Sequence, residues 1–197
     1  MITFAFKLFK MKKIGIIGCG NLGLSLLKGF RKQYPDAQLF GTRRNVSELS
    51  SLEDELTHFT TDNREVIAQC DYLIIALKPY TILSFLEEHR AFFDPARHTL
   101  ISVATGITLK ELKSALELES ISLYRGMPNT AADVQESITA LSGLPDPLDR
   151  KAEVTELFHA IGQTVWIDEQ LMESATILGA CGIAYVLRFI RAMIQGG

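Results

Sequence analysis

The feature that most constrains the fold lies near the start of the chain, in KKIGIIGCGNLGLSLLKGF. There a compact apolar run (12–18) leads directly into Gly18-Cys19-Gly20-Asn21-Leu22-Gly23 and then into a helical pattern. Leu22, Leu26 and Phe30 fall at four-residue spacing on one helix face. A strand that enters GxGxxG and leaves as a helix is the turn of a dinucleotide-binding βαβ unit. Each glycine has a physical job in it. Gly18 makes the tight turn, Gly20 lets a pyrophosphate approach the backbone, and Gly23 lets the helix pack closely on the strand. Asn21 and Leu22 open a helix whose unpaired N–H groups and positive dipole end suit an anion. Glycines serving packing alone are the plainer reading, and the strand–turn–helix context weighs against it.

Roughly twenty residues further on, such units often carry an acid that binds the ribose 2′-hydroxyl of NAD. Here the chain reads LFGTRRN (39–45), with Thr42, Arg43 and Arg44 and no carboxylate. A 2′-phosphate would be repelled by an acid. Guanidinium groups grip it through paired N–H donors, each charge-assisted bond being worth about 1.5–3 kcal/mol. The arginines therefore predict NADP(H) as cofactor, with NADPH preferred over NADH. The alternative is a solvated basic loop.

Apolar runs and helical patterns alternate along the first two-thirds of the chain. Strands are expected in AQLFG (37–41), DYLIIALK (71–78), TLISVAT (99–105), ISLYRGMPN (121–129) and SITALSG (137–143). Helices are expected in SELSSLEDEL (47–56), DNREVIAQ (62–69), ILSFLEEHRAFF (82–93) and TLKELKSAL (108–116). In the last of these, Thr108 and Glu111 have the spacing of a capping box. This rhythm predicts an α/β fold, a doubly wound, mostly parallel Rossmann-like sheet. After GLPDPLDR (143–150) come a helix (150–161), a short strand TVWI (164–167) and a long helical stretch from about Gln170. Ala184 to Ile194 is strongly apolar, a liability if left uncovered in water. The expected organisation is an N-terminal extension (1–11), a cofactor-binding domain (12–168), and the beginning of an all-helical domain (169–197) of which most is missing from this chain.

With 22% charged residues and a net charge of −3, the composition gives no reason to expect nucleic acid or an anionic membrane as partner. The three cysteines, Cys19, Cys70 and Cys181, show no metal-ligand or CxxC spacing and suit a reduced, cytoplasmic setting. No metal site is expected. MITFAFKLFKMKK is too short an apolar run for a signal peptide, and Met11 is a second possible start. Arg188 and Arg191 weigh against reading 178–194 as a membrane span.

The ordered motifs IGIIGCGNLG (14–23), GTRRN (41–45), IIALKP (74–79), SVATGIT (102–108), YRGMPNT (124–130), SITAL (137–141) and ESATILGACGIAYVLRFIRAM (173–193) resemble the pyrroline-5-carboxylate reductase family over roughly residues 12–197. LKP and RGMPNT are the most specific parts. The resemblance implies a reductase that uses NADPH or NADH to convert the cyclic imine 1-pyrroline-5-carboxylate to proline. It implies a Rossmann-like domain followed by a helical domain that interlocks two subunits, so a homodimer or higher homo-oligomer. Family cofactor contacts fall on Gly18, Gly20, Asn21, Leu22, Gly23, Thr42, Arg43, Asn63, Ala76, Lys78, Pro79, Ala104 and Thr105. The small-molecule imine would meet the nicotinamide near Met127, Pro128 and Asn129, facing Thr176 and the loop Gly179, Ala180, Cys181, Gly182. A glycine-rich helix start there suits the substrate carboxylate. No residue is assigned as the catalytic acid, and none of the four histidines sits in a motif.

The departures are specific. Where the family reads SGSGPAY, this chain has Gly179-Ala180-Cys181-Gly182-Ile183-Ala184-Tyr185, without both serines and the helix-starting proline. Ala131 stands where the family usually has proline, and Gln135 and Ser137 where it has glycine. Lys78 is either a cofactor contact or a solvated strand-end lysine, and Asn129 either a substrate residue or a turn former. A 3-hydroxyacid dehydrogenase of related architecture would need a lysine on the following long helix, and 182–195 has none. A non-catalytic or regulatory NADP-binding relative is the other alternative.

Overall fold

In the computed structural model, residues 13–197 are described; the expected extension 1–11 lies outside them. The strands are β1 (Lys13–Ile17), β2 (Gln38–Thr42), β3 (Thr57–Thr60), β4 (Tyr72–Ile75), β5 (Thr99–Ser102), β6 (Ser122–Met127), β7 (Ser137–Gly143) and β8 (Gly162–Trp166). They form one eight-stranded sheet in the order β3-β2-β1-β4-β5-β6-β7-β8. The main helices between them are α1 (Asn21–Gln33), α2 (Asn63–Gln69), α3 (Pro79–His89), α4 (Leu109–Leu116) and α5 (Lys151–His159).

The central strands read as unbroken apolar runs because both of their faces are covered. On β4, Tyr72 and Ile74 join a core with Leu26 and Phe30 of α1 and Leu157 and Phe158 of α5. Leu73 and Ile75 join the opposite core with Val66 and Ile67 of α2, Ile82 of α3 and Leu112 of α4. The chain winds outward from β1 to β3 and then returns to place β4 on the other side of β1. That reversal opens a crevice at the carboxyl ends of β1, β2 and β4, where ligands of such sheets bind. Ile17, Thr42 and Ile75 stand in register there.

Two local expectations need correction, and the sheet is mostly parallel as expected. SELSSLEDEL is not a ten-residue helix: Ser47–Leu52 is a 3-10 helix anchored by buried Leu49, and Thr57–Thr60 adds the edge strand β3. The helix expected at 82–93 starts earlier, with Pro79 in its first turn, and stops at His89 before a 3-10 turn. β7 runs antiparallel to β6, the one reversal in an otherwise parallel sheet. The capping box is present as expected, with Thr108 N–H donating to Glu111 Oε2 at 2.8 Å and Glu111 N–H to Thr108 Oγ1 at 3.2 Å.

Beyond β8 the chain is helical to its end. A 3-10 turn (Glu169–Leu171) leads to α6 (Met172–Ala175), a π-helical turn (Thr176–Cys181) and α7 (Gly182–Gly196), which buries none of its residues. Phe189, Met193 and Ile194 are more than 60% exposed. The 28-residue stretch Glu169–Gly196 is long and apolar enough to cross a membrane by length and composition alone.

Candidate functional site

The site begins at the glycine turn, where each glycine shows a different constraint. Gly18 has φ +100°, a conformation that side chains rarely adopt, and a Cβ there would also meet the Ala76 carbonyl oxygen at 2.8 Å. A Cβ on Gly23 would lie 2.4 Å from the Gly18 carbonyl oxygen, so α1 packs on the turn only without a side chain. Gly20 differs, because a Cβ there would meet nothing within 4 Å. It is exposed and borders open space at the start of α1. That helix has no side-chain cap and no acidic residue in its first turn. Its first N–H groups and its dipole are left for an external anion.

The end of β2 is tied to this turn. Gly18 N–H donates to Thr42 Oγ1 at 3.1 Å, and Cys19 N–H donates to the Thr42 carbonyl at 2.6 Å. Thr42 is buried, and its hydroxyl braces the turn at the edge of the groove that Arg43 and Arg44 line. Cys19 is a packed core residue: burial pushes its thiol up to about 12, against smaller lowering effects of the Thr42 backbone and Arg43. It is no thiolate nucleophile.

Two grooves border this turn and the helix that follows it. The larger, of about 1070 Å³, runs along the sheet edge past Gly18, Gly20, Thr42, Arg43, Arg44, Asn63, Ala76 and Lys78. Arg43 is half-buried and paired with Glu48 at 2.8 Å, whereas Arg44 is exposed. Asn63 begins α2, capped by Asp62, whose carboxylate accepts the Arg64 N–H at 2.9 Å. Asp62, Arg64, Tyr80, Thr81 and Glu88 also border this groove, and sequence reasoning missed them. Tyr80 and Thr81, directly after LKP, were the detectable ones. His89 lines it as well, with its Nδ1 2.9 Å from the Phe85 carbonyl and its ring stacked on Phe85.

The smaller groove, of about 580 Å³, runs from Asn21 and Leu22 to Pro128, Asn129 and Ala180. Ser25, Lys28 and Asp133 line it too, and Ser25 Oγ donates to Asp133 at 3.0 Å. Asn129 serves the turn: its Oδ1 accepts the Ala131 N–H at 3.0 Å, and its own N–H donates to Ser137 Oγ at 3.1 Å. The serine at 137 thus has a structural task. Ala104 and Met127 are buried, and Thr105 Oγ1 lies 3.9 Å from Met127 Sδ. Met127 packs with Ala140 and Met172, and Ala180 lies against them, so the helical arm reaches the sheet at the motif the sequence singled out.

Other expected residues lie elsewhere. Pro79 and Gly23 line neither groove and act through helix geometry. Thr176 is buried and donates its hydroxyl to the Met172 carbonyl at 2.8 Å, so it faces the arm's own backbone. Gly179 and Cys181 are exposed and, with Gly182, border neither groove. The expected helix start at this loop is absent. Cys181 and Gly182 both have right-handed helical backbone, and the helix continues through them as a π-turn. With Ile183 in place of proline nothing interrupts it, and a helix interior spends its N–H groups on its own carbonyls.

The family described as "NADP oxidoreductase coenzyme F420-dependent" matches residues 13–106. Pyrroline-5-carboxylate reductase 2 of Dictyostelium discoideum is 35% identical, over 94% of this chain and 68% of the relative. Pyrroline-5-carboxylate reductase 1 of the same organism is 31% identical over 93% of this chain, which spans only 36% of that relative's length. The crystal structure of Plasmodium falciparum pyrroline carboxylate reductase with NADP bound superposes with a TM-score of 0.81 at 25% identity, covering 96% of this chain and 70% of that one. From its glycine turn to its helical arm, the chain belongs to the pyrroline-5-carboxylate reductase family.

Proposed function

We propose that the protein is an NADPH-dependent reductase of the cyclic imine 1-pyrroline-5-carboxylate, yielding proline. The observation that carries this reading is that two grooves border consecutive residues at the start of α1, Gly20 on one and Asn21 on the other. One groove offers Arg43 and Arg44, and the other offers Pro128, Asn129 and Ala180. Open space at Gly20 and the uncapped helix start fit a pyrophosphate, and the arginines fit a 2′-phosphate. NADPH bound here would supply the hydride for the imine carbon. The chain's own work is positioning. Gly20, Asn21 and Leu22 would hold the pyrophosphate, Arg43 and Arg44 the 2′-phosphate, and Asn63, Ala76 and Lys78 the adenosine side. The turn from Ala104 to Thr105 and the Met127–Asn129 segment would hold the reacting rings in register. Residues 12–168 would make up the cofactor-binding domain, and 169–197 would belong to a helical domain. The apolar surface of α7 supports a homodimer, and the unpaired thiols support a cytoplasmic setting. The test is loss of NADPH absorbance with the imine, with NADH in parallel. Turnover favouring NADPH supports the reading, and tight NADPH binding without turnover overturns the catalytic part of it.

The unbroken helix through 176–183 favours a second reading, an NADP-binding relative that does not reduce this imine. The same assay separates the two.

A further inference from the structure

We propose that Glu48 sets how strongly the protein discriminates NADPH from NADH, as an internal counter-anion that a 2′-phosphate must displace from Arg43. The inference rests on reading Arg43 as a phosphate ligand. Arg43 Nη2 lies 2.8 Å from Glu48 Oε2, a distance a phosphate oxygen would also take. Both ends of the pair are held in place. The Arg43 N–H donates to the Thr60 carbonyl at 3.3 Å, one residue beyond the Thr42 brace on the glycine turn. Glu48 sits on the 3-10 helix Ser47–Leu52, whose Leu49 is buried and whose start is fixed by Asn45 Oδ1, accepting from both the N–H and the hydroxyl of Ser47. Arg43 lines the groove, and Glu48 reaches it from outside.

A 2′-phosphate therefore exchanges one anion for another at Arg43 instead of meeting an unpaired cation. NADH brings no anion to this position and leaves the pair intact. The preference for NADPH is smaller than two unpaired arginines would give, and Glu48 is the residue that reduces it. Arg44, exposed and without an ion pair among the described residues, carries the remainder.

The test measures dissociation constants of NADPH and NADH by cofactor fluorescence on the whole chain. The proteins compared are the parent, Glu48→Gln, Arg43→Met and the double variant, with circular dichroism confirming the fold of each. Glu48→Gln is expected to tighten NADPH by about 2–5-fold, the range an exposed ion pair supplies, and to leave NADH unchanged. The gain should vanish in the Arg43→Met background. Glu48→Gln tightening both cofactors equally, or neither, overturns the proposal while the role of Arg43 stands. Arg43→Met leaving NADPH affinity untouched overturns the phosphate-site reading itself, and the proposal with it.

Discussion

Arg125, on a central strand, donates its Nη1 to Glu169 Oε1 at 3.0 Å, and Glu169 is the first residue of the helical arm. The same carboxylate oxygen accepts the Leu109 N–H at the start of α4. One side chain thus joins β6, α4 and the arm that carries Ala180 to the smaller groove. Arg125 is buried, so loss of its partner would strand a cation away from water. Glu169→Gln keeps the shape and the Leu109 bond but removes the charge. With Glu169 still 30% exposed, the expected loss is about 1–3 kcal/mol, below the range for a fully buried pair. Urea unfolding measures it, and a change under about 0.5 kcal/mol would place the pair among ordinary surface contacts.

The glycine turn separates fold from function within a few residues. Gly20→Ala adds a methyl where no protein atom lies within 4 Å, so the melting temperature should hold. NADPH binding should weaken by at least about tenfold, roughly 1.4 kcal/mol, because the methyl occupies the phosphate's approach. Gly23→Ala forces a Cβ to 2.4 Å from the Gly18 carbonyl and should lower the melting temperature whether or not cofactor is present. Thermal shift with and without NADPH distinguishes the two. Equal melting losses in both would contradict the division of labour.

What the sequence disclosed was what depends on local spacing. The glycine turn, the capping box at Thr108 and Glu111, and the doubly buried strands are each written within a few consecutive residues, and each is where it was expected. The Thr42 brace was hidden because it joins residues 24 apart, and a threonine beside two arginines reads as well for a phosphate. The edge strand β3 was hidden by a helix-like run of Ser, Leu and Glu, whose fate is set by pairing of Thr57–Thr60 with β2. At the substrate loop, the missing proline was visible, but its consequence, a helix that never breaks, belongs to backbone geometry.

Thiol chemistry gives a third prediction. Cys19 and Cys70 are buried and Cys181 is exposed, so a disulfide reagent such as DTNB should modify one thiol per native chain and three after unfolding. Burial raises the pKa of both buried thiols. For Cys19, the unfolded thiol ionises from its ordinary 9.0, while the folded one keeps its proton to about 12. Between these values the folded state binds more protons. The stabilisation is complete below pH 9.0 and falls as pH rises towards about 12. Cys70 acts in the same direction. Rapid native labelling of Cys19, read by peptide mass, would contradict its place in the core.

The loop itself allows the sharpest test of substrate binding. In the present chain the arm runs unbroken from Met172 to Gly196, and only Ala180 of the loop borders the smaller groove. Combining Ile183→Pro with Gly179→Ser, Ala180→Gly and Cys181→Ser restores the family pattern. Proline at 183 removes a backbone N–H and collides with the carbonyl of residue 179, a penalty of about 3 kcal/mol in a helix interior. Because α7 buries none of its residues, that strain should break the helix locally and leave the sheet folded. The break frees N–H groups at a helix start, and the serines add two hydroxyls, so a substrate carboxylate gains partners. The expected result is a KM for the imine lowered by about tenfold, with the dissociation constant of NADPH unchanged. An unchanged KM with a broken helix, seen as lost far-ultraviolet ellipticity, would mean that the carboxylate is held elsewhere. In that case Ser25 and Lys28, across the same groove, become the residues to replace next.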